Sequence, residues 1–245
     1  MKSINRFKKL GLFKILLPIL RGYFSRQEYD KMVTQPTKFE RYNIDVLLSA
    51  YKIIDCLDQI YFSIEMLSGF KSKSNSVMNQ HDYIVFMLEN FYLRITSAFD
   101  RILRFTNVVF EIGLPEKECK ESKIIKNDKI KETSLCNILT KLNTYINKYK
   151  NSRNKIAHSE SYSDKDLIEI EGYFLLLESD NQKDIEDYKP YFKRVTDEYV
   201  GNKKKELMEY ANEFEELLKK FFDDTVPYVD TIGQRYQEQK LTSTY

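Results

Sequence analysis

Residues 81 to 115 read HDYIVFMLENFYLRITSAFDRILRFTNVVFEIGLP, and this stretch decides the fold. Its apolar side chains recur at steps of three and four residues, which places them on one face of an α-helix. The face consists of Ile84, Leu88, Phe91, Ile95, Ala98, Ile102, Phe105 and Val109. Gly113 and Pro115 then interrupt the pattern, because both residue types are typical of turns. The sequence therefore predicts one long amphipathic helix that begins near His81 and stops before Gly113.

The same helical spacing appears elsewhere in the chain. Residues 39 to 67 carry it with Ile44, Leu47, Leu48, Tyr51, Ile54, Leu57, Tyr61 and Ile64. Shorter stretches cover residues 135 to 158, 167 to 177 and 203 to 222. Among 245 residues there are only 7 glycines and 5 prolines, as expected for helices joined by short loops. We predict an all-α fold: an antiparallel helical bundle of four to five core helices with extra N- and C-terminal helices.

This pattern divides the chain into three regions. Residues 1 to 37 form a basic amphipathic extension, residues 38 to 225 the helical domain, and residues 226 to 245 a C-terminal tail. Residues 1 to 26 contain seven basic residues and no acidic ones. A helix packed on the protein's own core explains this segment better than contact with a membrane surface or an RNA backbone, the two alternatives.

Composition narrows the function. The 39 basic and 37 acidic residues nearly cancel, so the chain is not a nonspecific nucleic-acid coat and any contact with RNA must be local. Cys56, Cys119 and Cys136 form no CxxC pair, which favours a reducing cytoplasm over a disulfide framework or a zinc site. No phosphate-binding glycine loop, dinucleotide fingerprint or HExxH motif is present. We expect neither a cofactor nor a metal.

Chemically useful side chains are concentrated in residues 151 to 159, which read NSRNKIAHS. Asn154 and His158 are four residues apart, so they lie on one face of a helix. Arg153 points about 140° away from His158 around the helix axis. One helix therefore does not stack Arg153 on His158, but a second copy of the helix packed against it could bring the two side chains together.

Histidine, arginine and asparagine suit the attack of a ribose 2′-hydroxyl on its neighbouring phosphate. A histidine can take a proton from the hydroxyl, or give one to the leaving 5′-oxygen, near neutral pH. An arginine can hold the phosphate oxygens as negative charge develops on them. The expected products are a 2′,3′-cyclic phosphate and a 5′-hydroxyl.

The sequence RNKIAH at residues 153 to 158 resembles the Arg-polar-x-x-x-His signature of the HEPN superfamily, and NFYLRITSAFD at residues 90 to 100 looks like the second core helix of stand-alone bacterial HEPN proteins. The resemblance covers about residues 40 to 225. It implies a homodimer with the signature at a symmetric interface, where Arg153 and His158 would be catalytic and Asn154 would orient or bind phosphate.

Supporting residues and partners can also be named. Arg94 and Asp100 lie six residues apart on the second core helix; they are candidates to face the interface behind the catalytic groups, although an internal salt bridge or plain solvent exposure explains such a pair more simply. Many relatives act as toxins in host-defence or toxin–antitoxin systems, so an antitoxin protein is an expected partner beside RNA.

Three functions follow, in decreasing order of support. The first is a metal-independent endoribonuclease of a bacterial defence or toxin system. The second is a non-catalytic HEPN-like module that binds RNA, nucleotide or a partner protein. The third is a helical scaffold at a membrane surface, attached through residues 1 to 26.

Overall fold

The computed structural model of the chain describes residues 4–30, 35–71, 78–158, 161–178 and 186–242. The helices are α1 (Ile4–Phe7), α2 (Gly11–Asp30), α3 (Lys38–Met66), α4 (Gln80–Val109), α5 (Glu121–Ile124), α6 (Asp128–Lys131), α7 (Ser134–Ile146), α8 (Lys150–His158), α9 (Lys165–Glu178) and α10 (Lys189–Thr242). Short 3₁₀ turns occur at Glu116–Glu118, Asn147–Tyr149 and Glu186–Tyr188. No strand occurs in these ranges, which confirms the predicted all-α helical bundle.

The chain divides into two compact units. The first unit comprises Met1–Asp58, Ser97–Ile146 and Phe214–Tyr245, and the second unit comprises Gln59–Thr96 and Asn147–Glu213. Helices α3, α4 and α10 each contribute one part to the first unit and the other part to the second unit.

Helices α3 and α4 run antiparallel within each unit. In the first unit, the hydroxyl of Tyr42 near the start of α3 donates to the carbonyl oxygen of Val109 at the end of α4 (2.9 Å). In the second unit, the amide of Asn90 donates to the hydroxyl of Ser63 (2.6 Å). The predicted pairing of these two helices is therefore confirmed.

The first unit is built around a cluster of aromatic rings. Phe222 of α10 meets Phe7, Phe13 and Phe105 edge to face, with ring centroids 5.7, 5.5 and 5.5 Å away, and all four side chains are fully buried. Such edge-to-face contacts are favourable beyond the burial of area alone. Two of the four rings come from the basic N-terminal segment, whose apolar face thus packs inside its own unit while Arg6 pairs with Glu215 (2.9 Å).

The end of α4 is fixed by a tight turn. The side chain of Asn107 accepts a hydrogen bond from the backbone of Leu114 and donates one to its carbonyl, both at 3.0 Å. Gly113, between them, has φ +81°, a conformation that glycine adopts without strain. The helix therefore stops where the sequence predicted.

Three helix boundaries differ from the predictions, one of them the start of the last helix, which begins at Lys189 rather than at residue 203. Residues 135 to 158 do not form one helix, because the 3₁₀ turn Asn147–Tyr149 separates α7 from α8. The last helix does not end at Phe222, and residues 226–242 are not a tail but the continuation of α10. Helix α10 passes through Pro227 because the residues beyond it have a surface to pack on: Val229 and Ile232 are buried. Among the described residues, no helix is both long and apolar enough to cross a membrane.

Candidate functional site

Helix α8 presents the predicted catalytic residues on the surface of the second unit. None of its nine residues is buried, and its only large apolar residue, Ile156, is partly buried. The helix contains two lysines, one arginine and one histidine, with no acidic residue. Its surface is therefore positive, which favours contact with a phosphate-bearing ligand.

The side chains of Arg153 and His158 are both exposed, and Asn154 is partly buried. Nη1 of Arg153 donates to Oδ1 of Asn154 (3.0 Å), so the two neighbours orient each other. Around the helix axis, the order is Arg153, Ala157, Asn154 and His158, with Arg153 and His158 about 140° apart. The small side chain of Ala157 leaves the middle of this face open. In the described part of the chain, no hydrogen bond joins Arg153 to His158.

An aromatic cluster holds the start of α8. Tyr149, the last residue of the preceding 3₁₀ turn, places its ring 5.7 Å from Phe91, 5.0 Å from Tyr92 and 4.7 Å from Tyr210, measured between ring centroids. Its hydroxyl donates to Oε1 of Glu206 (3.4 Å). Burial, with the Glu206 carboxylate nearby, raises the pKa of Tyr149 well above its usual range, so the hydroxyl keeps its proton.

A second set of contacts holds the chain just after α8. The backbone N–H of Tyr162 donates to Oε1 of Glu89 on α4 (2.8 Å), and the Tyr162 ring lies 4.8 Å from Tyr92. Its hydroxyl donates to Oδ2 of Asp164 (3.1 Å), and the hydroxyl of Tyr199 donates to the same oxygen (2.9 Å). Burial and the Asp164 carboxylate raise the pKa of Tyr199, and burial raises that of Tyr162, so both hydroxyls remain donors.

Asp164 also caps the N-terminal end of α9. Its Oδ1 accepts a hydrogen bond from the backbone N–H of Leu167 (3.0 Å), the N-cap arrangement that satisfies a free donor at a helix start. Lys203 lies 3.6 Å from Oδ2 of Asp164 and 3.1 Å from Oε2 of Glu206. Burial would lower the pKa of Lys203, but the neighbouring tyrosine and carboxylates outweigh it and raise the pKa, so Lys203 stays charged.

The two predicted supporting residues fall in different units. Arg94 lies in the second unit, partly buried, and its Nε donates to Oδ1 of Asn90 (3.3 Å). Asp100 lies in the first unit, is exposed, and lines a cavity of about 920 Å³. The cavity also contains the basic side chains of Lys52, Arg101 and Arg104. A shared role for Arg94 and Asp100 behind the catalytic groups stays a prediction.

The sequence did not reveal the residues around the ends of α8. Glu89 and Tyr162 are 73 positions apart, and their contact has no signature in a local pattern. Asp164 had a detectable signal, because an aspartate three residues before the first apolar residue of a helix is typical of an N-cap. The described residues contain no group of histidine, cysteine or acidic side chains placed to bind a metal ion.

Comparison with known proteins identifies the family. The model of the family described as Cthe2314-like HEPN matches residues 27–226, which is most of the chain. No curated protein and no solved structure is similar enough to count as a match. The match includes α8 with Arg153 and His158 as well as the residues that hold its two ends. The chain therefore belongs to the Cthe2314-like HEPN family and, through it, to the HEPN superfamily.

Proposed function

We propose that this protein is an endoribonuclease that acts as a homodimer and needs no metal ion. The observation that carries the proposal is the exposed helix α8, which presents Arg153, Asn154 and His158 without an acidic residue in a chain of the HEPN superfamily. RNA phosphates are the ligand best suited to this helix, because its basic side chains are not buried and have no acidic neighbour on the same helix.

In the proposed reaction, the neutral imidazole of His158 accepts the proton of a ribose 2′-hydroxyl. The 2′-oxygen forms a bond to the adjacent phosphorus while the bond from phosphorus to the 5′-oxygen breaks. The same imidazole, now protonated, gives that proton to the departing 5′-oxygen, so one His158 serves each reacting phosphate. Arg153 stabilises the negative charge that develops on the phosphate oxygens, and the amide of Asn154 orients the phosphate. The products are a 2′,3′-cyclic phosphate and a 5′-hydroxyl.

The geometry of α8 supports a dimer. Arg153 and His158 diverge by about 140° around one helix axis, which is too far for both to reach one phosphate. A two-fold axis beside α8 brings Arg153 of one copy towards His158 of the other copy, because a symmetric interface presents the same surface twice. Each reacting phosphate then lies between two chains.

The test is cleavage of a mixed cellular RNA pool by the purified protein in excess EDTA, with the product ends identified. We expect the wild type to release cyclic-phosphate ends. Arg153→Ala should slow cleavage by about 10² to 10³-fold through the loss of charge stabilisation. His158→Ala should slow it by about 10² to 10⁴-fold through the loss of proton transfer.

The matched control is Lys155→Ala. It removes a positive charge from the same exposed helix, at a position about 160° from Arg153 and 60° from His158 that is outside the Arg-polar-x-x-x-His signature. Cleavage by this variant should stay within about tenfold of the wild type, because only a general attraction to RNA is weakened. Equal cleavage by the wild type and His158→Ala would contradict the mechanism. Binding of RNA by the wild type without any cleavage would instead identify a non-catalytic binding module.

The cellular role that we propose is that of a toxin in a bacterial defence or toxin–antitoxin system. It is supported by membership of the HEPN superfamily, and it makes an antitoxin protein the expected partner.

A further inference from the structure

We infer that Tyr149 and Tyr162 are positioning residues, which hold the two ends of α8 and thereby place Arg153 and His158 for reaction. This inference rests on the proposed function for its catalytic consequence, although the structural part stands by itself. Neither tyrosine is part of the Arg-polar-x-x-x-His signature, and neither contacts the two catalytic side chains in the described part of the chain.

Helix α8 cannot hold its own position. It has nine residues, and isolated helices shorter than about 12 to 15 residues are marginal in water. Helices in proteins are normally fixed by a buried apolar face, but α8 has no buried side chain. Only Ser152, Asn154 and Ile156 are partly buried, so we expect the residues at the two ends of α8 to contribute most to its position.

The start of α8 is fixed by Tyr149. The ring of Tyr149 contacts three other rings at centroid distances of 4.7 to 5.7 Å, and two of them lie on α4. Tyr149 immediately precedes Lys150, so the first turn of α8 begins at a residue that is packed against the unit.

The chain beyond α8 is anchored at Tyr162, four residues after His158. Four residues span at most about 14 Å, so the anchored backbone of Tyr162 restricts where His158 can move. The anchor has a backbone hydrogen bond to Glu89 and a ring contact with Tyr92. Its hydroxyl adds a third link through Asp164, which Tyr199 of α10 also contacts.

The two anchors share one support. Tyr92 is almost fully buried, and its ring lies 5.0 Å from that of Tyr149 and 4.8 Å from that of Tyr162. The residue just before α8 and the residue four positions after it thus both contact the same side chain of α4. A substitution that weakens the contacts of Tyr149 or Tyr162 should make one end of α8 mobile. The packing of the rest of the second unit should not change.

The experiment measures amide hydrogen exchange on the millisecond to minute scale, peptide by peptide, together with RNA cleavage. The variants are Tyr162→Leu, Tyr149→Leu and Glu89→Ala, and the matched control is Tyr191→Leu, an exposed tyrosine of the second unit outside this cluster. In the three variants, residues 150–158 should exchange at least about tenfold faster, while the central turns of α3 and α10 change by less than about twofold. The control should resemble the wild type.

Glu89→Ala is included in case the tyrosine variants do not fold. It removes only the carboxylate that accepts the backbone hydrogen bond of Tyr162, and it leaves the rings of Tyr149 and Tyr162 in place. In the cleavage assay, we expect each anchor variant to lower kcat by about tenfold or more, with KM within about threefold, since binding groups on α8 remain. Tyr162→Phe keeps the ring on Tyr92 and should recover most of kcat.

Two results would overturn the inference. One is exchange in residues 150–158 that is unchanged in Tyr162→Leu and Glu89→Ala; the other is a wild-type α8 that already exchanges at the rate of unstructured chain. Absence of RNA cleavage by the wild type would count against the proposed function alone, because the exchange measurement still decides whether the tyrosines hold α8.

Discussion

Glu40 shows how single residues fix the start of a long helix. In the sequence Thr37-Lys-Phe-Glu40, the hydroxyl of Thr37 accepts from the backbone N–H of Glu40 (3.2 Å), and Oε2 of Glu40 accepts from the backbone N–H of Thr37 (2.9 Å). This reciprocal pair is a capping box at the first turn of α3. Arg26 of α2 donates to the other carboxylate oxygen, so one buried acid connects two helices.

The stability of the protein should therefore depend on the charge of Glu40. Burial alone would raise the pKa of Glu40, but hydrogen bonds from Arg26 and Thr37 outweigh it and lower the pKa below its usual value. A lowered pKa stabilises the fold above the unfolded pKa of about 4.3, and this contribution is lost as the pH falls through the folded pKa. Glu40→Gln should lower the free energy of unfolding by about 1 kcal/mol at pH 7, an amount reduced by the exposure of Arg26.

Urea unfolding at a series of pH values tests this prediction. The difference between wild type and Glu40→Gln should shrink as the pH falls below about 4, because protonated glutamate and glutamine have the same charge. Glu118→Gln is the control, since the Glu118 and Lys123 pair is exposed and should leave the urea midpoint unchanged. A Glu40→Gln difference that does not vary with pH would contradict the ionic origin of the effect.

At the scale of elements, helix α2 carries one aromatic side chain that is buried and another that is exposed. Phe13 is fully buried against Phe222, whereas Phe24 is 59% exposed. Phe13→Ala should therefore lower the free energy of unfolding by about 3 to 5 kcal/mol through lost burial and a cavity. Phe24→Ala, the same substitution eleven residues later, should change it by less than about 0.5 kcal/mol.

Thermal and urea unfolding followed by circular dichroism would measure both variants side by side. The comparison also tests the assignment of the N-terminal segment, because a helix used mainly to contact a membrane or RNA would tolerate Phe13→Ala in free solution. A small effect for Phe13→Ala, or equal effects for both variants, would contradict the packing of α2 within the first unit.

Elements also show which parts of the structure were predictable from sequence. Helices α3 and α4 follow from spacing, because the pattern that predicts an amphipathic helix is local. The turn at Tyr149 was missed because it depends on rings about sixty residues away, such as Tyr92 and Tyr210. The continuation of α10 past Pro227 was missed because tertiary burial of Val229 and Ile232 overrides the local preference of proline for a break.

For the candidate site too, local features could be predicted from the sequence and long-range contacts could not. The helical placement of Arg153, Asn154 and His158 follows from neighbouring residues, and the exposure of Arg153 and His158 agrees with the polar character of the stretch. The tyrosines that hold α8 could not be predicted, because nothing near residue 162 indicates a partner at residue 89. Long-range contacts of this kind require the fold.

At the scale of the whole molecule, the proposed cleft between two chains can be tested by mixing inactive variants. Arg153→Ala and His158→Ala homodimers should each be inactive, but half of the dimers in an equilibrated mixture are mixed. In a mixed dimer, one cleft combines the intact Arg153 of one chain with the intact His158 of the other. The mixture should therefore recover about a quarter of the wild-type cleavage rate, from the fraction of intact clefts in a symmetric dimer.

Either variant alone at the same total concentration is the control, and sedimentation equilibrium at micromolar concentration shows whether dimers form. A monomeric wild type that cleaves RNA would contradict the shared cleft. So would a mixture with no more activity than its components, because chains that use their own Arg153 and His158 gain nothing from exchange of partners.

Helices α3, α4 and α10 each belong to both units, and this limits how the gene can be divided by protein engineering or by recombination. Neither unit corresponds to one uninterrupted stretch of the gene. Three of the four points where the chain crosses between them lie inside helices, where a cut would break the backbone hydrogen bonds of one turn. The units cannot be moved between proteins as separate cassettes, so recombination among relatives should preserve α3, α4 and α10 together or destroy the fold.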